Sequence, residues 1–114
     1  MNPTPTGPRF RVYDLALDAL RLARASITRI HATNRDLADQ LQRAASSVVL
    51  NLAEGAQRRG RDRAHSYRIA AGSAAESRAC LDAAEALGYV SAADAAELWR
   101  RFDAVVAMLW PLTR

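Results

Sequence analysis

The chain has 114 residues, with sixteen arginines, no lysine, twelve acidic residues and a net charge of +4 at pH 7. That length bounds it to one domain around a single core, and its one cysteine, Cys80, excludes a scaffold held by internal disulfides. No apolar run reaches the ~20 residues of a membrane-spanning helix, so a soluble, cytoplasmic protein with no membrane partner is expected.

Alanine, the strongest helix former, supplies 25 residues. Glycine and aromatic residues are few, and no segment sustains the alternation of a strand, so the expected fold is all-α. Residues 1–9 are rich in Pro and Thr and lack the apolar centre of a signal peptide; they are expected to form a disordered tail ahead of a bundle domain at 10–114. Val12, Leu15, Ala16, Ala19, Leu20, Ala23, Ile27 and Ile30 recur at three-and-four spacing and predict the first helix. After a joint at Asn34, Arg35 and Asp36, a second helix turns Leu37, Leu41, Ala44, Ala45, Val48 and Leu52 inward and ends near Gly55. An arginine segment follows. Gly60 and Asp62 are expected as turn and N-cap of a third helix, with a stripe through Ile69, Ala70, Ser73, Ala74, Cys80, Leu81, Ala84 and Leu87, closed by Gly88. Ser91 and Asp94 open a fourth helix in a capping-box-like arrangement. Ala95, Leu98, Trp99, Phe102, Val105, Val106 and Leu109 form its inner face, and Pro111 ends it.

Short joints between long helices make neighbours antiparallel, so these elements predict an up-down-up-down four-helix bundle with the arginine segment at one end. Tyr13, Leu17, Leu22, Trp110 and Leu112 exceed what one core needs. Some of them are expected to point outward, where self-association would bury them.

The eleven residues from Arg58 to Arg68 hold five arginines and one acid, Asp62; the other 103 balance eleven arginines against eleven acids. Arginine in place of lysine follows the same compositional bias as the alanine, so its position is what informs. A neutral body with one basic segment points to an anionic partner. One or two cations after a helix would complement its dipole, for about 0.3–1 kcal/mol each, and four within six positions exceed that role. Arg58, Arg59, Arg61, Arg63 and Arg68 are therefore the candidate phosphate-binding residues. His65 and Tyr67 are candidates for stacking on single-stranded bases, against the plainer reading of a solvated histidine and a tyrosine packed on the second helix. No base-reading signature accompanies them, so binding would follow the nucleic-acid backbone without regard to sequence.

Asn51 and Glu54, with Ser73 and Glu76, lie near apolar faces at matching distances from the same joint and are expected to pair across the two helices or with an arginine. Trp99, Phe102 and Trp110 read as core and subunit interface rather than as a ligand pocket. Gly72 and Ser73 weaken the middle of the third helix, which a close helix approach would explain. A di-iron bundle needs two Glu-x-x-His motifs, and this chain has only Asp62-x-x-His65; no metal and no cofactor are expected. Asp82 with Glu85 and Asp94 with Glu97 have the spacing of helical magnesium-dependent nucleotide hydrolases, but on charged helices they read first as solvated residues.

The run from Gln42 through Asn51-Leu52-Ala53-Glu54-Gly55, then Arg58-Arg59, Ile69-Ala70-Ala71-Gly72-Ser73-Ala74-Ala75-Glu76 and Leu87-Gly88-Tyr89, resembles a bacterial four-helix-bundle family. That family was first noticed as proteins encoded by intervening sequences in large-subunit ribosomal RNA genes, and it includes the accessory variability protein of diversity-generating retroelements. The resemblance covers Phe10 to Leu112. It departs at Val49, where the family often has Pro, and at Gln57, where Gly is usual. It implies the bundle fold and a homopentameric ring with a basic surface, and, for the retroelement members, binding of nucleic acid and of a reverse transcriptase. The expected function is a non-enzymatic, homo-oligomeric nucleic-acid-binding bundle, with a purely protein-binding scaffold as the alternative and a nucleotide hydrolase as a remote one.

Overall fold

Stripes built mainly from alanine leave helix faces thin enough for close approach, and a few large residues fill the space between them. A computed structural model describes residues 8–114 of this chain. It contains α1 (Pro8–His31), α2 (Arg35–Ala56), α3 (Gly60–Ala86) and α4 (Ala92–Leu109), followed by a 3-10 turn at Trp110–Thr113. There is no strand among the described residues. Each helix packs on its sequence neighbours and α4 returns to α1, which closes the up-down-up-down arrangement. The expected tail at 1–9 lies outside the described residues except at its last two positions, where α1 begins.

Local chemistry fixes the helix ends. The Asn34 side chain accepts the Leu37 N–H at 3.0 Å, and Ser91 Oγ accepts the Asp94 N–H at 3.1 Å. Each such cap stabilises by about 1 kcal/mol. At the end of α3, Gly88 takes φ +76°, the Tyr89 N–H donates to the Ala84 carbonyl and the Gly88 N–H to that of Glu85. This is the Schellman arrangement, and it turns the chain sharply into α4.

The core contains Val12, Ile30, Leu41, Val48, Leu81, Leu98, Phe102, Val105 and Leu109, with alanines from all four helices between them. The expected stripes hold for α1, α2 and α4, and three details of the α2–α3 region differ. α2 ends at Ala56, next to Gly55 as expected, but Gly55 lies inside the last turn and is buried because the Tyr67 ring lies against it. Arg59, not Asp62, occupies the N-cap of α3, with no side-chain bond, and Asp62 falls in the first turn. Ile69 and Leu87, expected inside, are 41% and 59% exposed, while Tyr67 and Ser77 fill the core instead. Tyr13, Leu17 and Leu112 are half-buried against the core rather than outward, whereas Leu22 and Trp110 are exposed as expected.

Two glycines give opposite expectations. A Cβ on Gly55 would fall 2.7 Å from Tyr67 Cδ1 and closer still to Cε1, and the buried ring has nowhere to go. Around Gly72, exposed in mid-α3, a Cβ would meet nothing within 4 Å. Denaturant unfolding should therefore show Gly55→Ala losing about 1–3 kcal/mol and Gly72→Ala gaining about 0.5–1 kcal/mol.

Candidate nucleic-acid interface

Only Gln57, Arg58 and Arg59 join α2 to α3. Gly60 then takes φ +55°, a conformation that favours glycine, and starts the new helix. The joint is short because the helices meet closely at Gly55 and Tyr67, and it fixes the directions in which the arginines leave the backbone.

The five arginines divide into two kinds. Arg58 donates from Nε to Glu54 Oε1 at 2.8 Å and from a terminal nitrogen to the same oxygen. This hydrogen bond and the carboxylate charge raise the guanidinium's pKa above its ordinary value. Arg63, half-buried, donates from Nε to the Gly55 carbonyl at 3.1 Å and so satisfies the end of α2. Arg68 donates to the Thr113 carbonyl at 2.9 Å and holds the C-terminal turn against α3. The side chains of Arg59 and Arg61 are exposed and make no hydrogen bond or ion pair among the described residues. They flank the N-terminus of α3, whose first-turn amides receive no side-chain cap. Counting Glu54 with Asp62 against the five arginines, the local charge is +3 rather than +4.

The two stacking candidates separate. His65 is exposed on α3. Tyr67 is 1% exposed with its ring on Gly55, so the plainer reading of a tyrosine packed on the second helix holds and the base-stacking candidate is corrected.

The polar network is also rearranged. Ser73 Oγ donates to Ser47 Oγ at 2.8 Å across the two helices, and Asn51 Nδ2 donates to the Ser47 carbonyl and hydroxyl at 2.9 and 3.0 Å. Ser77 Oγ donates to the Ser73 carbonyl at 2.9 Å. Asn51 and Ser73 therefore meet through Ser47, a residue absent from the expected network although its place one turn before Asn51 is a signal for it. Glu54 serves Arg58, and Glu76 is exposed without a side-chain partner among the described residues.

At the opposite end, the carboxylates do not converge. Asp82 and Glu85 rim a cleft of about 410 Å³ between α3 and α4, with Ala92, Ala95, Ala96, Trp99 and Arg100. Asp94 and Glu97 line a separate one with Leu22, Ala25, Ser26 and Leu98. Arg29 reaches Asp94 at 3.6 Å, and Arg100 and Arg101 hold Glu97 at 2.8 and 3.1 Å. Those two hydrogen bonds keep the Glu97 carboxyl below its ordinary range. Arg78 bridges to Asp103 at 2.8 Å and lies 5.3 Å from the centre of the Trp99 ring, tying α3 to α4. Cys80 is buried, and burial, followed by the charge of Glu76, pushes its thiol pKa up.

A family model described as 23S rRNA-intervening sequence protein matches residues 10–110. In fold, the chain is similar to the crystal structure, at 1.70 Å resolution, of a protein of unknown function from the S23 ribosomal protein family of Bacteroides thetaiotaomicron VPI-5482. The two share 19% identity and a TM-score of 0.81, over 90% of this chain and 98% of that one. Among curated proteins no match is found.

Two measurements check this electrostatic picture. Because Glu97 is depressed in the folded state, its contribution to stability is present above the ordinary glutamate value of about 4.3 and is lost as pH falls through its lower folded value. Carbon-detected NMR should place its midpoint below that of a free glutamate, and Arg100→Gln with Arg101→Gln should bring it back up. The Cys80 thiol should react with an alkylating agent at pH 8 only as fast as the chain unfolds.

Proposed function

This chain belongs to the 23S rRNA-intervening sequence protein family, and on that premise we propose that it is a non-enzymatic, self-associating bundle that binds the phosphate backbone of nucleic acid. The observation that carries the reading is the pair Arg59 and Arg61, exposed and unpartnered at the uncapped N-terminus of α3. Planar guanidinium groups take two phosphate oxygens each, and helix amides favour the same charge. Arg63 and Arg68 keep their charge while bonded to carbonyls, and add an attractive field without moving toward the ligand. Arg58 contributes least, since Glu54 neutralises it.

Such binding discriminates poorly between RNA and DNA and between sequences, because phosphates are the groups contacted. Self-association is supported by the large apolar side chains left outside, Trp110 at 66% and Leu50 at 67% exposed. Against hydrolysis of nucleotides stands the separation of the two carboxylate pairs into different clefts.

Fluorescence anisotropy with a generic single-stranded RNA tests the reading. Affinity should fall between about 50 and 200 mM salt, with a log–log slope near −0.7 per phosphate neutralised. Arg59→Glu with Arg61→Glu should weaken binding at least tenfold, and Arg63→Gln with Arg68→Gln should weaken it by less. Absence of binding at about 50 mM salt, or unchanged affinity in a helical Arg59→Glu/Arg61→Glu variant, would refute the proposal.

A further inference from the structure

With Tyr67 buried, one aromatic side chain still stands mainly in solvent among the described residues, that of Trp110 at the end of α4. Its indole makes no hydrogen bond, ion pair or ring contact with them. The backbone beneath it is nevertheless braced from two sides. The Thr113 hydroxyl donates to the Trp110 carbonyl at 2.8 Å and closes the 3-10 turn, and Arg68 donates to the Thr113 carbonyl at 2.9 Å and ties that turn to α3. Leu112, between them, packs against the core. A large ring held out on a braced turn loses little freedom when a flat group covers it.

The charges around the ring constrain what that group is. Arg61, His65 and Arg68 are exposed on α3 at i, i+4 and i+7, so they share one face. They form a row of about 10 Å at ~1.5 Å per residue. Its first member is one of the two unpartnered guanidinium groups, and its last is bonded to the turn that carries Trp110. Of the acids nearby, Glu54 is taken by Arg58. A ligand that is both anionic and aromatic answers the whole surface, with phosphate oxygens for the free arginines and the face of a base for the indole. A single strand has bases free to stack on a side chain, whereas a duplex keeps them stacked on each other.

We propose that Trp110 is a stacking platform for an unpaired nucleobase on the same strand whose phosphates Arg59 and Arg61 hold, with Arg68 and Thr113 as its positioning residues. The proposal rests on the reading of Arg59 and Arg61 as phosphate-binding groups and narrows it. The ligand is single-stranded, and the preference over duplex comes from a residue outside the arginine segment. Every base has a π-face, so the stacking adds affinity without reading sequence.

The chain has two tryptophans, and their emission separates them. In Trp99→Phe the remaining indole, Trp110, should be quenched when a short single-stranded RNA is added at about 50 mM salt. In Trp110→Phe the remaining Trp99, beside Arg78, should not respond. Anisotropy should show Trp110→Ala losing affinity for the single strand by about fivefold or more, while a duplex of the same length binds as it does to wild type. Thr113→Val removes the hydroxyl bond without changing charge; it should lower single-strand affinity by a smaller factor and leave the duplex alone. Unquenched Trp110 at saturating RNA, unchanged single-strand affinity in Trp110→Ala, or equal losses for strand and duplex overturns the inference. So does a fall in particle mass by sedimentation in Trp110→Ala, which assigns the ring to a contact between copies. Arg59→Glu/Arg61→Glu keeps the two proposals apart. Loss of both ligands in that variant, beside undiminished strand binding by Trp110→Ala, upholds the phosphate site and removes the platform, whereas a wild type that binds neither ligand removes both.

Discussion

Tyr67 lies against Gly55, and the geometry of the basic end descends from that contact. The ring is buried between α2 and α3, where the glycine removes the Cβ that would collide with it. Bringing two helices together at their adjoining ends leaves room for only Gln57, Arg58 and Arg59 between them. A joint of that length offers few conformations, and the positive φ at Gly60 selects among them. A buried aromatic residue and one missing methyl group thus set where a cluster of surface charges stands.

That placement sorts arginines which composition alone makes equivalent. Arg63 is aimed back at the last turn of α2 and finds the Gly55 carbonyl; Arg68, two turns along α3, finds the chain's final turn. Arg58 remains on the α2 side, within reach of Glu54 one helical turn earlier. Arg59 and Arg61 bracket the glycine turn and are left outside. Like charges so close together repel, and the fold anchors three of them and leaves two exposed. The Ser47–Ser73 hydroxyl contact continues the α2–α3 pairing farther from the joint, so the end that carries the arginines rests on the most closely paired helices.

Much of this is legible in the sequence, for identifiable reasons. Three-and-four spacing of apolar residues locates all four helices, because burying one face stabilises a helix in a small bundle more than its intrinsic propensity does. The joint at Asn34, the cap at Ser91 and the turn at Gly88 follow from local bonding that does not depend on the rest of the fold. The misreadings cluster in α3, where alanine, glycine and serine blur the contrast between faces. There the pattern points Ile69 and Leu87 inward and leaves Tyr67 open between stacking and packing, and the structure exposes the first two and buries the third. Gly55 reads as a stop because glycine commonly ends helices, and its actual role depends on a residue twelve positions away. The division of the arginines is equally hidden, since the carbonyl acceptors of Arg63 and Arg68 lie on the backbone of other elements.

The central claim is that the fold commits Arg63 and Arg68 to itself and leaves Arg59 and Arg61 for a phosphate-bearing partner. Arginine Nε–H resonances report on each guanidinium separately, so following them by NMR during titration with a short single-stranded oligonucleotide addresses that claim most directly. The account predicts large, saturable shifts at Arg59 and Arg61, with Arg63 and Arg68 nearly still. Equal shifts at all of these arginines, or larger shifts at Arg63 and Arg68, would contradict it.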